Sequence, residues 1–216
     1  MRVFSNTAMS TDGKIGTYRH DHVAIGSDED RRMMSVIRAE ADAVLVGGKT
    51  FRNWPYPLIE KPEHLDVPKH RSKPVVNAVL SRTGILQAED RRFPDPRVKL
   101  LVLGPPTLDV LAHEERFGAE VVTTAEPTVA WALDVLQQRG CTSTLIEGGG
   151  DFIFRAIAAD RLDEIYLTLA PVIVGGASAP TLADGEGFEP ETIRRLALSG
   201  LRRVGDELYL HYHLKK

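Results

Sequence analysis

Leu145-Ile146-Glu147-Gly148-Gly149-Gly150-Asp151 decides the fold class of this chain. Residues 144–147 read as a buried strand, three glycines stop it, and residues 151–159 carry the pattern of a helix. Glycine lets the backbone approach a ligand closely and take positive φ angles. The free N–H groups that open a helix favour an anion such as a diphosphate. The same residues also suit a tight strand-to-helix turn with no ligand. The spacing is not G-x-G-x-x-G, so a plain Rossmann enzyme is not indicated.

Working back from that junction, apolar runs alternate with helical patterns. Residues 129–139 and 108–117 read as helices; Glu120–Thr123, residues 98–103 and Val75–Leu80 read as strands. Val46-Gly47-Gly48-Lys49-Thr50-Phe51 repeats the strand-then-glycine pattern without the spacing of a Walker A loop. Residues 43–46 and 3–8 are further strands. Ser27 is placed to cap a helix running to Ala39, with Asp28, Glu29 and Asp30 where the helix dipole favours negative charge. Residues 54–74, with Pro55, Pro57, Pro62 and Pro68, are too long for a routine connection and read as a functional or a mobile loop.

Working forward, residues 164–169 form a strand, and Leu196–Val204 and Glu207–Leu214 flank Gly205-Asp206 as a hairpin. This β-α-β repetition, closed by antiparallel strands, predicts an α/β fold with a mostly parallel sheet between helices. A single domain is expected over residues 1–216. Ligands of such sheets lie beyond the carboxyl ends of the strands, where both glycine turns fall.

Composition narrows the function. A net charge of -3 over 216 residues argues against a general nucleic-acid binder. Cys141 stands alone, which excludes an internal disulfide framework and multi-cysteine zinc sites. The first residues lack the apolar core of a secretory leader, and no apolar run approaches the ~20 residues of a membrane helix. A cytoplasmic location is therefore expected, with no membrane partner. His211 and His213 share a strand face; with no third ligand evident, a polar terminal strand is the preferred reading and no metal is expected.

Thr7-Ala8-Met9-Ser10-Thr11-Asp12-Gly13-Lys14-Ile15, residues 27–38, Gly47-Gly48-Lys49-Thr50, residues 145–150 and Ala170-Pro171-Val172-Ile173-Val174-Gly175-Gly176 follow one another along the chain. In that order they resemble the reductase domain of riboflavin biosynthesis, over about residues 2–176. That family has the fold of dihydrofolate reductase. The resemblance implies NADPH as hydride donor, a phosphorylated ribosylamino-pyrimidinone as substrate, and a homodimer.

Carried over by position, the resemblance puts Ala8 against the cofactor, Gly47, Gly48 and Thr50 at its phosphates, and Ser81 at its adenosine side. Gly148, Gly149, Gly150, Asp151 and Phe152, on to Arg155, would form the diphosphate cradle. Arg82 is the candidate for the 2′-phosphate on charge alone. Glu147 and Arg38 fall on substrate positions, Arg38 on the phosphate. Asp12 or Glu147 would handle protons at the sugar; Asp12-Gly13 is equally a turn former. Lys14 either holds substrate oxygen or is a solvated loop lysine. Asp30 shares a helix face with Met33 and Ile37, and a carboxylate facing inward there resembles the one with which dihydrofolate reductase grips its pterin.

Two departures from the family stand out. The His-x-Glu and Pro-Cys-x-x-Cys of the deaminase that accompanies the bacterial reductase are missing, so a freestanding reductase is expected. The family's Asp-Asp-Pro substrate loop is replaced by Phe51-Arg52-Asn53-Trp54-Pro55-Tyr56-Pro57. Trp54 and Tyr56 offer rings to a heterocycle, or serve as an apolar plug or dimer contact. The rival readings are a reductase of a pterin or other heterocycle, and a non-catalytic nucleotide-binding protein.

Overall fold

A computed structural model describes residues 1–19, 23–67, 69, 71–85 and 95–215. Their elements, in order, are β1 (Arg2–Ser10), α1 (Asp28–Ala39), β2 (Ala43–Gly47), α2 (Gly48–Asn53), β3 (Val75–Leu80), β4 (Val98–Gly104), α3 (Val110–Phe117), β5 (Glu120–Thr123), α4 (Val129–Gln138), β6 (Ser143–Ile146), α5 (Gly150–Ala158), β7 (Glu164–Ala170), β8 (Leu196–Val204) and β9 (Glu207–Leu214). The chain groups into two bodies, one of residues 35–145 with Met1, the other of residues 2–34 and 146–216.

In the first body β2, β3, β4 and β5 pair in parallel, and β6 lies on the other side of β2. Ala43, Val44, Leu45 and Val46 are all buried, as expected of a parallel strand covered on both faces. Leu45, Leu101, Leu103, Phe117, Leu133 and Leu136 make up much of its core. Helix α3 starts at Val110, two residues later than the apolar pattern suggests, because the Asp109 side chain caps it by accepting the Ala112 N–H at 3.0 Å. Thr128 caps α4 in the same way, through the Trp131 N–H.

The proline-rich stretch after α2 is pinned at Leu58, Glu60 and Arg71. Asn77 exchanges two hydrogen bonds with the Leu58 backbone, at 2.7 and 2.9 Å. Arg71 pairs with Glu60 at 2.7 Å and donates to the carbonyls of Ala41 and Arg38.

In the second body β1 runs parallel to β7, which pairs antiparallel with β9, and β9 with β8. The expected hairpin is present: Val204 faces Glu207, and Gly205 turns the chain at φ +58. The two bodies thus carry an α/β architecture with mostly parallel strands and an antiparallel C-terminal pair. No helix among the described residues is long and apolar enough to cross a membrane.

Candidate active site

Strand β2 runs directly into α2, a helix of six residues too short to show an apolar period. Gly47 caps it in extended conformation, without a side-chain hydrogen bond. The register pairs Gly47 with Leu80, so Gly48 and Ser81 are the next residues of adjacent strand ends. They are in tight contact: a β-carbon on Gly48 would lie 2.3 Å from Ser81 Oγ. Lys49 and Thr50 are exposed.

The turn after β3 is built around Ser81. Its hydroxyl donates to the Gly84 carbonyl at 3.0 Å, and Arg52 Nη1 donates to the same carbonyl at 2.8 Å. His113, fully buried, accepts the Ile85 N–H on Nε2 at 3.0 Å, with Nδ1 against the Asp109 carbonyl. Both bonds require the neutral ring with its proton on Nδ1. Arg82 is exposed on this anchored turn, whereas Ser81 is buried and its hydroxyl serves the turn. Trp54 and Tyr56 pack on each other, ring centres 4.6 Å apart. Arg38 is buried and engaged.

In the second body the three glycines part company. Gly149 caps α5 with no side-chain hydrogen bond, and nothing lies within 4 Å of where its β-carbon would stand. Gly148 is packed against Phe152, whose β-carbon would be 3.1 Å away. Gly150 has no room at all: a β-carbon would meet the Thr181 carbonyl oxygen at 2.2 Å and Asp184 Oδ2 at 2.6 Å. Asp184 is held there by the Thr181 N–H and hydroxyl. Of the three, only Gly149 has open space where a β-carbon would stand. Asp151 and Arg155 pair with each other at 2.9 Å on the exposed side of α5.

Asp12 is an anchor. One carboxylate oxygen accepts the Ser10 hydroxyl at 2.6 Å and the Val174 N–H at 3.0 Å; the other accepts the Gly175 N–H at 2.7 Å. These bonds, the Ser10 hydroxyl foremost, hold its carboxyl at about 2. Asp12 thus ties the turn after β1 to the turn after β7. Lys14 donates to the Ala179 carbonyl at 3.2 Å. Glu147 is half-buried at the end of β6.

Asp30, on the first turn of α1, lies over Gly26 and accepts a hydrogen bond from Thr168 of β7. Thr168 is opposite Ala8 in the β1–β7 register, so both side chains share a sheet face. Burial pushes the Asp30 carboxyl up, with the nearby Glu207 charge adding to the effect. For Glu207 burial acts upward too, but bonds from Ser27 and Tyr209 outweigh it and lower the carboxyl overall. Two neighbouring carboxyls pushed apart in this way are fit for a proton-holding and a charge-holding role. Thr168 and Glu207 are tertiary partners that no local pattern marks.

The family described as the RibD C-terminal domain matches residues 1–210. Two relatives bear the name 2,5-diamino-6-ribosylamino-4(3H)-pyrimidinone 5′-phosphate reductase. The one from Archaeoglobus fulgidus is 29% identical over 210 residues, 94% of each chain. The one from Methanothermobacter thermautotrophicus is 31% identical over 224 residues, 99% of this chain and 98% of that one. Among solved structures, Acinetobacter baumannii RibD superposes with a TM-score of 0.76 at 20% identity, covering all of this chain and 58% of that one. Dihydrofolate reductase from Enterococcus faecalis superposes with a TM-score of 0.57 at 14% identity, over 100% and 97% of the two chains. The structural likenesses carry the fold, which is that of dihydrofolate reductase.

Proposed function

The chain belongs to the RibD C-terminal domain family, and from that premise we propose that it is an NADPH-dependent reductase in riboflavin biosynthesis. Its substrate is a phosphorylated ribosylamino-pyrimidinone, reduced to the ribitylamino form. The observation that carries the cofactor reading is the turn at Gly149. There a helix start with no side-chain cap, and with open space at the β-carbon position, offers N–H groups to a diphosphate.

NADPH, when bound, supplies the hydride. In this reading Gly149 serves the diphosphate and Ala8 the nicotinamide, while Gly47, Gly48 and Thr50 serve the phosphates and Arg82 the 2′-phosphate, on the turn that Ser81 shapes. Asp12, ionised and fully engaged, orders the substrate-side turns, which leaves Glu147 to hold or move the proton at the sugar. Asp30, kept protonated more readily by burial, holds the polar edge of the pyrimidinone. Lys14 and Arg38 are the cations for the substrate phosphate. Leu196, Leu198 and Leu201 are exposed on the edge strand β8 and supply the contact of a homodimer.

Steady-state oxidation of NADPH tests this reading. The ribosylamino-pyrimidinone phosphate should be turned over and dihydrofolate should not. Turnover of dihydrofolate alone would transfer the assignment to a pterin reductase; saturable NADPH binding with no oxidation would leave a nucleotide-binding protein.

A further inference from the structure

His211 and His213 stand two residues apart on β9, so their imidazoles project from one face. The antiparallel register sets Glu164 of β7 directly across from His213, and Tyr166 across from His211. Glu164 Oε2 is 2.8 Å from His211 Nε2, and the two imidazole centres are 4.8 Å apart. One donor atom from each of the three residues lies within 4.8 Å of the other two. We propose that Glu164, His211 and His213 form a binding site for a divalent transition-metal ion of the zinc type.

The donor set suits that ion. Two imidazoles and a carboxylate are a common zinc set, and bonds of about 2.0–2.2 Å in tetrahedral geometry bring ligand atoms to roughly 3.4 Å from one another. His213, which is exposed, has to close in, and the 2.8 Å hydrogen bond between His211 Nε2 and Glu164 Oε2 has to open and give up its proton. The other two are already oriented. His211 stacks on the Tyr166 ring, centres 4.1 Å apart and planes within 7°. Glu164 is gripped by Arg2 through Nε to Oε1 at 2.7 Å and Nη2 to Oε2 at 2.8 Å. Hydrogen bonds of this kind to ligating carboxylates fix their orientation in metal sites.

The Arg2 charge opposes an incoming dication, so the imidazoles must supply most of the affinity. That selects a borderline-soft ion over magnesium or calcium, which demand oxygen donors. The bound ion would cross-link β7 to β9 and so fasten the C-terminal hairpin.

The test is equilibrium dialysis of untagged, chelator-treated protein against zinc chloride, with magnesium chloride as the control. The wild-type chain should retain one equivalent of zinc and no magnesium, and zinc should raise its thermal unfolding midpoint. His213→Ala, at an exposed position, should weaken zinc binding by about tenfold or more and abolish the thermal shift while leaving reductase turnover unchanged. Wild-type protein that takes up no zinc saturably would overturn the proposal, as would equal zinc affinity in wild type and His213→Ala.

Discussion

Gly48 and Ser81 stand so close that a β-carbon on the glycine would sit 2.3 Å from the serine hydroxyl oxygen and 2.5 Å from its β-carbon. The contact joins the ends of two parallel strands, β2 and β3. Gly48→Ala should therefore cost stability, about 1–3 kcal/mol for an overpacked site. The clash is with the Ser81 side chain, so the same substitution should cost much less in a Ser81→Gly background. A double-mutant cycle by urea unfolding measures the coupling. Additive effects would show that the contact does not set the glycine requirement.

Gly149 and Gly150 should behave as opposites although they are neighbours. Gly149 has ordinary extended angles, φ -72 and ψ 169, and open space around its β-carbon position. Gly149→Val should fold with a near-native unfolding midpoint and lose most of its NADPH affinity, because the side chain fills the space the diphosphate needs. Gly150→Ala should destabilise the fold itself, since its β-carbon would meet the Thr181 carbonyl oxygen at 2.2 Å. Fluorescence titration with NADPH on both variants, beside thermal melts, separates the two effects. Unaltered NADPH affinity in Gly149→Val would remove the turn from the cofactor site.

That pair also marks how far local pattern reaches. The strands of the first body are legible because parallel strands covered on both faces are nearly continuous apolar runs, as Ala43–Val46 and Leu100–Leu103 are. The hairpin is legible because Gly205-Asp206 is a turn of known chemistry. The triple glycine reads as one cradle, yet its members divide according to a loop more than thirty residues downstream. Helix α2 is hidden because Gly47-Gly48 looks like a terminator and its six residues, with Phe51 as the one large apolar side chain, are too few to show an apolar period. Asp12 is ambiguous in sequence because its partners, Val174 and Gly175, are 162 and 163 residues away. Tertiary contacts, not propensity, decide each of these cases.

Arg82 is exposed on a turn held from one side by Arg52 and from the other by His113. A cation on an anchored turn discriminates ligands by charge. Arg82→Ala should weaken NADPH binding by roughly 1–3 kcal/mol, the size of a lost charge-assisted contact, and leave NADH nearly unaffected. Parallel titrations with the two coenzymes check this; equal losses would show that Arg82 does not read the 2′-phosphate.

Glu147 follows β6 and stands two residues before the open Gly149, and the proposed function gives its carboxyl the proton at the sugar. Glu147→Gln keeps the shape and removes the ionisable group. Turnover should fall by about 10²-fold or more, the scale of a lost general acid or base, with NADPH affinity changed little. Pre-steady-state NADPH oxidation beside a binding titration separates the two quantities. Wild-type turnover would exclude Glu147 from the chemistry.

Asp12 leaves a signature in the pH dependence of stability. Its carboxyl is held at about 2 in the folded chain against an ordinary value of 3.8, because the ionised form accepts the Ser10 hydroxyl and the Val174 and Gly175 N–H groups. A group lowered by folding binds its proton more readily in the unfolded chain. Its stabilisation is therefore complete above the ordinary value and is lost as the pH falls through the folded one. Asp12→Asn cannot satisfy all three donors, since its amide nitrogen faces one of them. The variant should melt below wild type at neutral pH, and the gap between the two midpoints should close as the pH falls from about 4 toward about 2. Thermal melts of both proteins across that range provide the check. A gap that stays constant down to the acid limit would mean that the carboxylate charge contributes nothing to the clasp between the two turns.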